Sequence, residues 1–275
     1  MHPQYYYLVS SLPDISLDSN KVPIEMDELI NFCSEEMIEK DFDDLKKLFI
    51  FNDIQNSIKY IDNNYVFLKP SYYNKEDFTE NLKDTDTFFE FFSEYFYNEK
   101  NEKRAFPGLL KIDEVFQLFY QYIDEFCSDF LNDYYLFELN LRNISTGLSQ
   151  RSNNLPVSNK IITYQEISEL IKKSSSQDFG LSKSIYYMEE IIEVYKSNDL
   201  VKIEKKIDEI RWQWLDERIG YNYFSADFVF SYAIKLASLK RWINLNEQDG
   251  EEKLNNLINQ ISLNIKLPEQ YLRRK

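Results

Sequence analysis

Along most of the chain, apolar residues recur at steps of three and four, the spacing of one face of an α-helix. Met26, Leu29, Ile30, Cys33 and Met37 keep this step with Glu and Asp between them, and Asp41 reads as the N-cap of a second short helix carrying Leu45, Leu48 and Phe49. Residues 61–83 read as a surface connection. Asp86 is placed to cap an aromatic helix holding Phe88, Phe89, Phe91, Phe92, Tyr95 and Phe96, whose rings point to burial on more than one side. After Pro107–Gly108, the positions Ile112, Phe116, Phe119, Ile123, Phe126, Phe130, Tyr134, Phe137, Leu141 and Ile144 step without fault, and no Gly or Pro intervenes before Gly147. One continuous helix over that interval would be roughly 50 Å long and would form the spine of the molecule. Further helices are expected near Thr163–Lys173, Lys183–Lys196, Asp199–Arg218, Ser225–Ile243 and Glu251–Ile265. The opening Tyr5–Val9 run, closed by Leu12-Pro13-Asp14, is expected instead as a short extended segment packed on helices.

This pattern predicts an all-α fold, a multi-helix bundle of packed helical hairpins around one long central helix. The stretch Gly147–Lys160, rich in Ser and Asn and centred on Pro156, divides an acidic lobe over 1–148 from a second lobe over 161–275, with 149–160 as linker. The lobes are either separate or share one core. Composition supports the helical reading, because 5 Gly and 7 Pro in 275 residues leave too little turn punctuation for a sandwich, barrel or propeller. A hydrophobic content of 43% and an aromatic content of 16% exclude a disordered chain.

Charge is divided unevenly. Residues 1–150 hold 13 Lys and Arg against 29 Asp and Glu, a net of −16, whereas residues 151–275 hold 19 against 18. An acidic half repels phosphate backbones and anionic headgroups, so nucleic acid is not an expected partner. It suits either a basic protein partner or simple solvation of helix faces. No 18-residue apolar run and no positively charged leader is present, so neither a membrane span nor a secretory signal is read, and a cytoplasmic location is expected.

Candidate chemistry is sparse. The single histidine, His2, rules out Ser-His-Asp, Cys-His and HExxH machinery, and Cys33 and Cys127 read as small buried hydrophobes. Asp41, Asp43 and Asp44 resemble half of a Mg²⁺-diphosphate site of a helical prenyl-type enzyme. The same acids equally suit a helix first turn, with Lys46 and Lys47 as their partners. No cofactor or metal is therefore expected. Glu138, Asn140, Arg142 and Asn143 interrupt an apolar helix, Glu138 and Arg142 at ion-pair spacing; a buried Asn143 would require explicit partners, and the group suits a polar network that locks helix register as well as it suits a partner contact. Trp212, Trp214 and Trp242 neighbour charged residues, notably Arg211 and Arg241; core packing with an exposed charged neighbour is the favoured reading, and an aromatic–cation anchor of an interface is the alternative. Arg273, Arg274 and Lys275 could touch an acidic surface.

Three segments carry a resemblance: YYYLVSSLPDISLD at 5–18, YYLFELNLRNI at 134–144 and YFSADFVFSYAIKLASLKRWINLNEQDG at 223–250. Together they resemble a family encoded within bacterial V-type ATPase operons, at the place where the C-type coupling component of the central stalk is expected. The spacing of Glu138, Asn140 and Asn143 is more distantly similar to that C-type component itself (d-type in eukaryotes), where Asp is usual at the position of Asn140. The resemblance implies a non-catalytic, all-helical component on the cytoplasmic face of the membrane rotor ring, receiving the central shaft. Glu138, Asn140, Arg142, Asn143, Arg241 and Trp242 are then candidate partner-binding residues. A freestanding acidic adapter and the prenyl-type enzyme are the alternatives.

Overall fold

The computed structural model describes residues 4–63, 66–157 and 160–244, and in them the protein is all-α. The helices are α1 (Tyr6–Ser11), α2 (Met26–Glu36), α3 (Glu39–Lys47), α4 (Ile50–Ile61), α5 (Lys75–Asn81), α6 (Glu90–Lys100), α7 (Lys111–Phe126), α8 (Asp129–Ser152), α9 (Glu166–Lys173), α10 (Met188–Lys196), α11 (Leu200–Ile219) and α12 (Ala226–Asn244). The expected helix Glu251–Ile265 and the basic residues Arg273, Arg274 and Lys275 lie outside the described residues.

The expected extended segment at Tyr5–Val9 is α1. The run YYYLV has no period that separates strand from helix, and burial decides. Tyr5 and Leu8, three apart, face the core while Tyr6 and Tyr7 are exposed, and the Tyr5 N–H donates to Phe224 O at 2.7 Å. The second acidic helix begins at Glu39 rather than after Asp41, and a turn at Leu48–Phe49 separates α3 from α4. Residues 61–83 include α5. In the aromatic region Asp84, not Asp86, supplies the cap, to the 3-10 turn Thr85–Thr87, and α6 follows with Phe91, Phe92, Tyr95 and Phe96 buried.

The 50 Å spine folds in two. Cys127 and Ser128 are both extended, with ψ of 143° and 167°, ending α7 and capping α8. The helices run back past each other: Tyr120 Oη donates to Tyr135 O at 3.1 Å, and Arg142 meets Asp113 at 2.5 Å. Both pairs are centred on the 127–128 turn, which defines an antiparallel hairpin. The apolar step of three and four continues across the break because each arm buries its own stripe, α7 chiefly on α6 and α4 and α8 on α9 and α10, while the Phe119 and Tyr135 rings meet across the hairpin.

Within the hairpin α8 is the central helix. Leu131, Tyr134, Tyr135, Phe137, Leu139, Leu141, Asn143 and Ile144 are all buried, so most of its circumference is covered, with Asp129 and Asp133 exposed near its start. It also runs through the start of the expected linker, to Ser152. A Cβ on Gly147 would stand 2.7 Å from Phe179 Cζ and 3.0 Å from Ile171 Cγ2, so the residue read as a breaker is instead where the 170s approach α8 closely. The buried apolar residues from Tyr5 to Leu236 form one contiguous cluster that draws on both sides of the 149–160 stretch.

Irregular connections are fastened to helices by interior side chains. On α4, Asn56 exchanges two hydrogen bonds with Leu68, Asn52 donates to Pro70 O, and the buried Asp53 carboxylate accepts from the N–H groups of Tyr72 at 2.7 Å and Tyr73 at 3.2 Å. On α7, buried Glu114 accepts from Ala105 N–H and Phe106 N–H and pairs with Arg104. Such groups replace the backbone ladder that these segments lack.

Burial pushes the Asp53 carboxyl up to about 7, against the two N–H donors that favour its charge. Between the unfolded value of about 3.9 and this one, the native chain holds a proton that the unfolded chain has released. Rising pH therefore subtracts stability through that window, by up to about 1.4 kcal/mol per pH unit, and the loss is complete above about 7. Asp53→Asn should flatten this component, so the stability difference between native and variant chains, followed by chemical unfolding from pH 4 to 8, should change across the window. Parallel curves would refute it.

Candidate partner-binding site

The sequence-predicted polar residues separate into two groups, one of which forms a continuous charged network. On α11, Asp208 stands four, seven and eleven residues before Trp212, Leu215 and Ile219, so one face of the helix carries an acid into the interior, where Asp208 is fully buried. Its Oδ1 accepts from Arg211 Nη1 one turn on, and its Oδ2 accepts from Arg241 Nη2 and, at 2.6 Å, from Trp242 Nε1 on α12. Arg211 turns its other two nitrogens to Glu138 of α8, pairing Nε with Oε1 and Nη2 with Oε2 at 3.0 Å. This bidentate fork fixes both distance and orientation. Three helices thus meet through side chains alone.

Burial by itself would disfavour the Arg211 charge, but the Glu138 carboxylate outweighs it and holds the guanidinium above its ordinary range. Tyr134 lies against the same carboxylate, and burial followed by the Glu138 charge pushes its hydroxyl well above the usual phenol range. At the outer edge Arg241 also pairs with Glu204 at 3.1 Å, and both side chains are about half exposed, 44% and 51%. Asp208 is closed to solvent and Arg211 and Glu138 are mostly buried, while the Arg241–Glu204 edge faces solvent. The chemistry on offer is charge pairing: an interior strut with one half-exposed ion pair at its solvent edge.

The second group takes its partners from α7 and the 161–163 segment. The Glu138–Arg142 pair expected along the helix does not form, because each finds a tertiary partner: Glu138 takes Arg211, and Arg142 takes Asp113 of α7 while lying over the Phe116 ring. Asn143 is fully buried and uses both its amide nitrogen and its carbonyl oxygen on one residue. Its Nδ2 donates to Ile162 O at 2.8 Å, and its Oδ1 accepts from Ile162 N–H at 3.1 Å. Gln117 of α7 does the same for Thr163, at 2.6 and 2.7 Å. The segment expected to open a helix at Thr163 is therefore pinned to two carboxamides, and α9 begins at Glu166. Asn140 is half-buried on α8. Trp214 stacks on Phe137 with centroids 4.8 Å apart, a core position rather than an anchor.

The acids of α3 diverge. Asp41 accepts from Tyr5 Oη at 2.5 Å, Asp43 accepts from Tyr72 Oη at 3.0 Å and pairs with Lys47 at 2.9 Å, and Asp44 meets Lys47 at 3.2 Å. Burial opposes the Asp43 charge, yet the Lys47 bond and charge keep its carboxyl below the ordinary value. Among the described residues, no group of three or more His, Cys, Asp or Glu is placed to hold a metal ion. Cys33 is buried and Cys127 lies at the hairpin turn; burial pushes both thiols up to about 12. No helix among the described residues is long and apolar enough to cross a membrane.

Sequence reasoning missed Asp208, Asp113 and Gln117. The available signal was a polar residue occupying an apolar-face position, as Asp208 does.

Fold and site together define an all-helical protein whose strongest polar constellation joins helices through charge. The chain belongs to the family described as "Protein of unknown function (DUF2764)", which it matches over residues 2–265. No curated protein and no solved structure matches it.

Proposed function

We propose that this protein is a non-catalytic coupling component of a bacterial V/A-type rotary ATPase, joining the central shaft to the membrane rotor ring from the cytoplasmic face. The observation that carries the reading is the resemblance of segments 5–18, 134–144 and 223–250 to the family found in V-type ATPase operons at the place of the C-type coupling component. Their packing supports it, because the three segments are neighbours in space. Tyr5 N–H donates to Phe224 O, Tyr232 Oη donates to Pro13 O at 2.8 Å, and Glu138 reaches Arg241 and Trp242 through Arg211 and Asp208. Residues far apart in sequence that resemble one family thus build one body rather than three unrelated surfaces. A coupling part must carry load without yielding, and helices braced by buried charge and fastened connections suit that task.

The test is to tag the protein in its own cells, solubilise membranes in mild detergent and identify what co-purifies in stoichiometric amount. Shaft and rotor-ring proteins of the ATPase are expected. Their absence, with the tagged protein functional, would overturn the reading. The net charge of −16 on residues 1–150 favours the second reading, an adapter for a basic partner unrelated to ATPases, whose binding would weaken steeply with salt.

A further inference from the structure

The seam between α11 and α12 runs out at one end before its apolar positions are covered. Asp216 meets Lys235, Asp208 meets Arg241 and Trp242, and Glu204 meets Arg241, so α12 climbs as α11 is followed back toward its start. Val201 stands three residues before Glu204 and seven before Asp208, which places it on the same face of α11 and one step further along the seam. Among the described residues α12 ends at Asn244, short of that step. Val201 is accordingly 56% exposed, and Leu200 beside it 51%.

The chain beyond Asn244 suits this gap. Leu245 stands four residues after Arg241 and three after Trp242, the spacing of the α12 side that meets α11. After Asn-Glu-Gln-Asp-Gly at 246–250, Leu254, Ile258, Ile261 and Ile265 step by four, three and four, with Leu257 alongside. A connection of that length spans at most about 17 Å, and a helix over 251–265 would be about 22 Å long, so the stripe begins within reach of Val201. Charge agrees with it. Glu247, Asp249, Glu251 and Glu252 crowd the connection, whereas the start of α11 presents the exposed Lys202 and Lys205, held only by the surface acids Asp199 and Asp18.

We propose that residues 251–265 fold back as a helix and lay the Leu254, Ile258, Ile261 and Ile265 stripe on the Leu200–Val201 end of α11, so that the chain closes its own open seam. A lone helix of this length is marginal in water, and the apolar contact is what holds it. Such a closure is internal to the chain and is independent of the coupling role.

Hydrogen exchange read by mass spectrometry on the full purified chain tests this. Amides of 254–265 should exchange at least tenfold more slowly than in an unstructured chain, and equally so at low and high protein concentration. Val201→Asp, at an exposed position, should lower that protection at least fivefold while the amides of α8 stay protected. Leu200→Asp, also exposed, should do the same, and Tyr97→Asp on the exposed side of α6 should change nothing. Amides of 254–265 that exchange freely overturn the proposal and leave the stripe for a partner protein. Protection that rises with concentration overturns it in favour of a second copy of the chain. Protection indifferent to both Val201→Asp and Leu200→Asp overturns it by placing the segment elsewhere.

Discussion

Asp208→Ala should cost about 3–5 kcal/mol of folding stability, the penalty for removing one partner of a buried ion pair. The loss comes less from the carboxylate itself than from what it leaves behind. Arg211 keeps Glu138, but its Nη1 loses its acceptor, Trp242 Nε1 loses its own, and Arg241 retains only the half-exposed Glu204. Glu204→Ala, at the solvent edge of the same network, should change stability by no more than about 1 kcal/mol, because exposed pairs contribute little. Denaturant unfolding followed by tryptophan fluorescence separates the two, since Trp242 reports on the network directly. If Asp208→Ala unfolds at the same midpoint as the native chain, the network is not the strut described.

Asn143→Leu should be nearly as damaging, at about 3–5 kcal/mol, although leucine is close to asparagine in size. The substitution strands the N–H and the C=O of Ile162, a fully buried residue, and each orphaned group costs about 1–3 kcal/mol. Gln117→Leu strands the corresponding groups of Thr163, which is only partly buried and closer to solvent, so its cost should be smaller. Hydrogen exchange gives the local readout: the Ile162 amide should lose protection in Asn143→Leu before neighbouring helical amides do. An Ile162 amide that exchanges as slowly as in the native chain would show that the carboxamide does not hold it.

These two positions also mark where the sequence was legible. That Asn143 would need explicit partners followed from a carboxamide within an apolar helix, but the partner itself was hidden, because residues 161–163 carry no periodicity. The all-helical class and the central helix were readable because apolar steps of three and four persist over long stretches. The turn at Cys127–Ser128 was not, because the same step survives a reversal when each arm buries its own stripe against other helices. Tyr5–Val9 illustrates the opposite failure: five apolar residues in a row hold no period, and contacts with Phe224 settle the conformation. The Glu138–Arg142 expectation rested on local spacing, worth a few tenths of a kcal/mol on an exposed helix. A bidentate fork from Arg211 in a closed interior outcompetes it.

The connections at 66–73, 104–109 and 161–164 have a mechanical consequence. In most helical proteins the loops are slack, so one helix can shift by a fraction of an ångström before its neighbour responds. Here Asn56, Asp53, Glu114, Gln117 and Asn143 tie those loops to helices elsewhere in the chain, atom to atom. A displacement of α8 therefore pulls on residue 162 and, through the shared segment, on α7 at Gln117. Load on α8 is thus shared with the 161–163 segment and with α7.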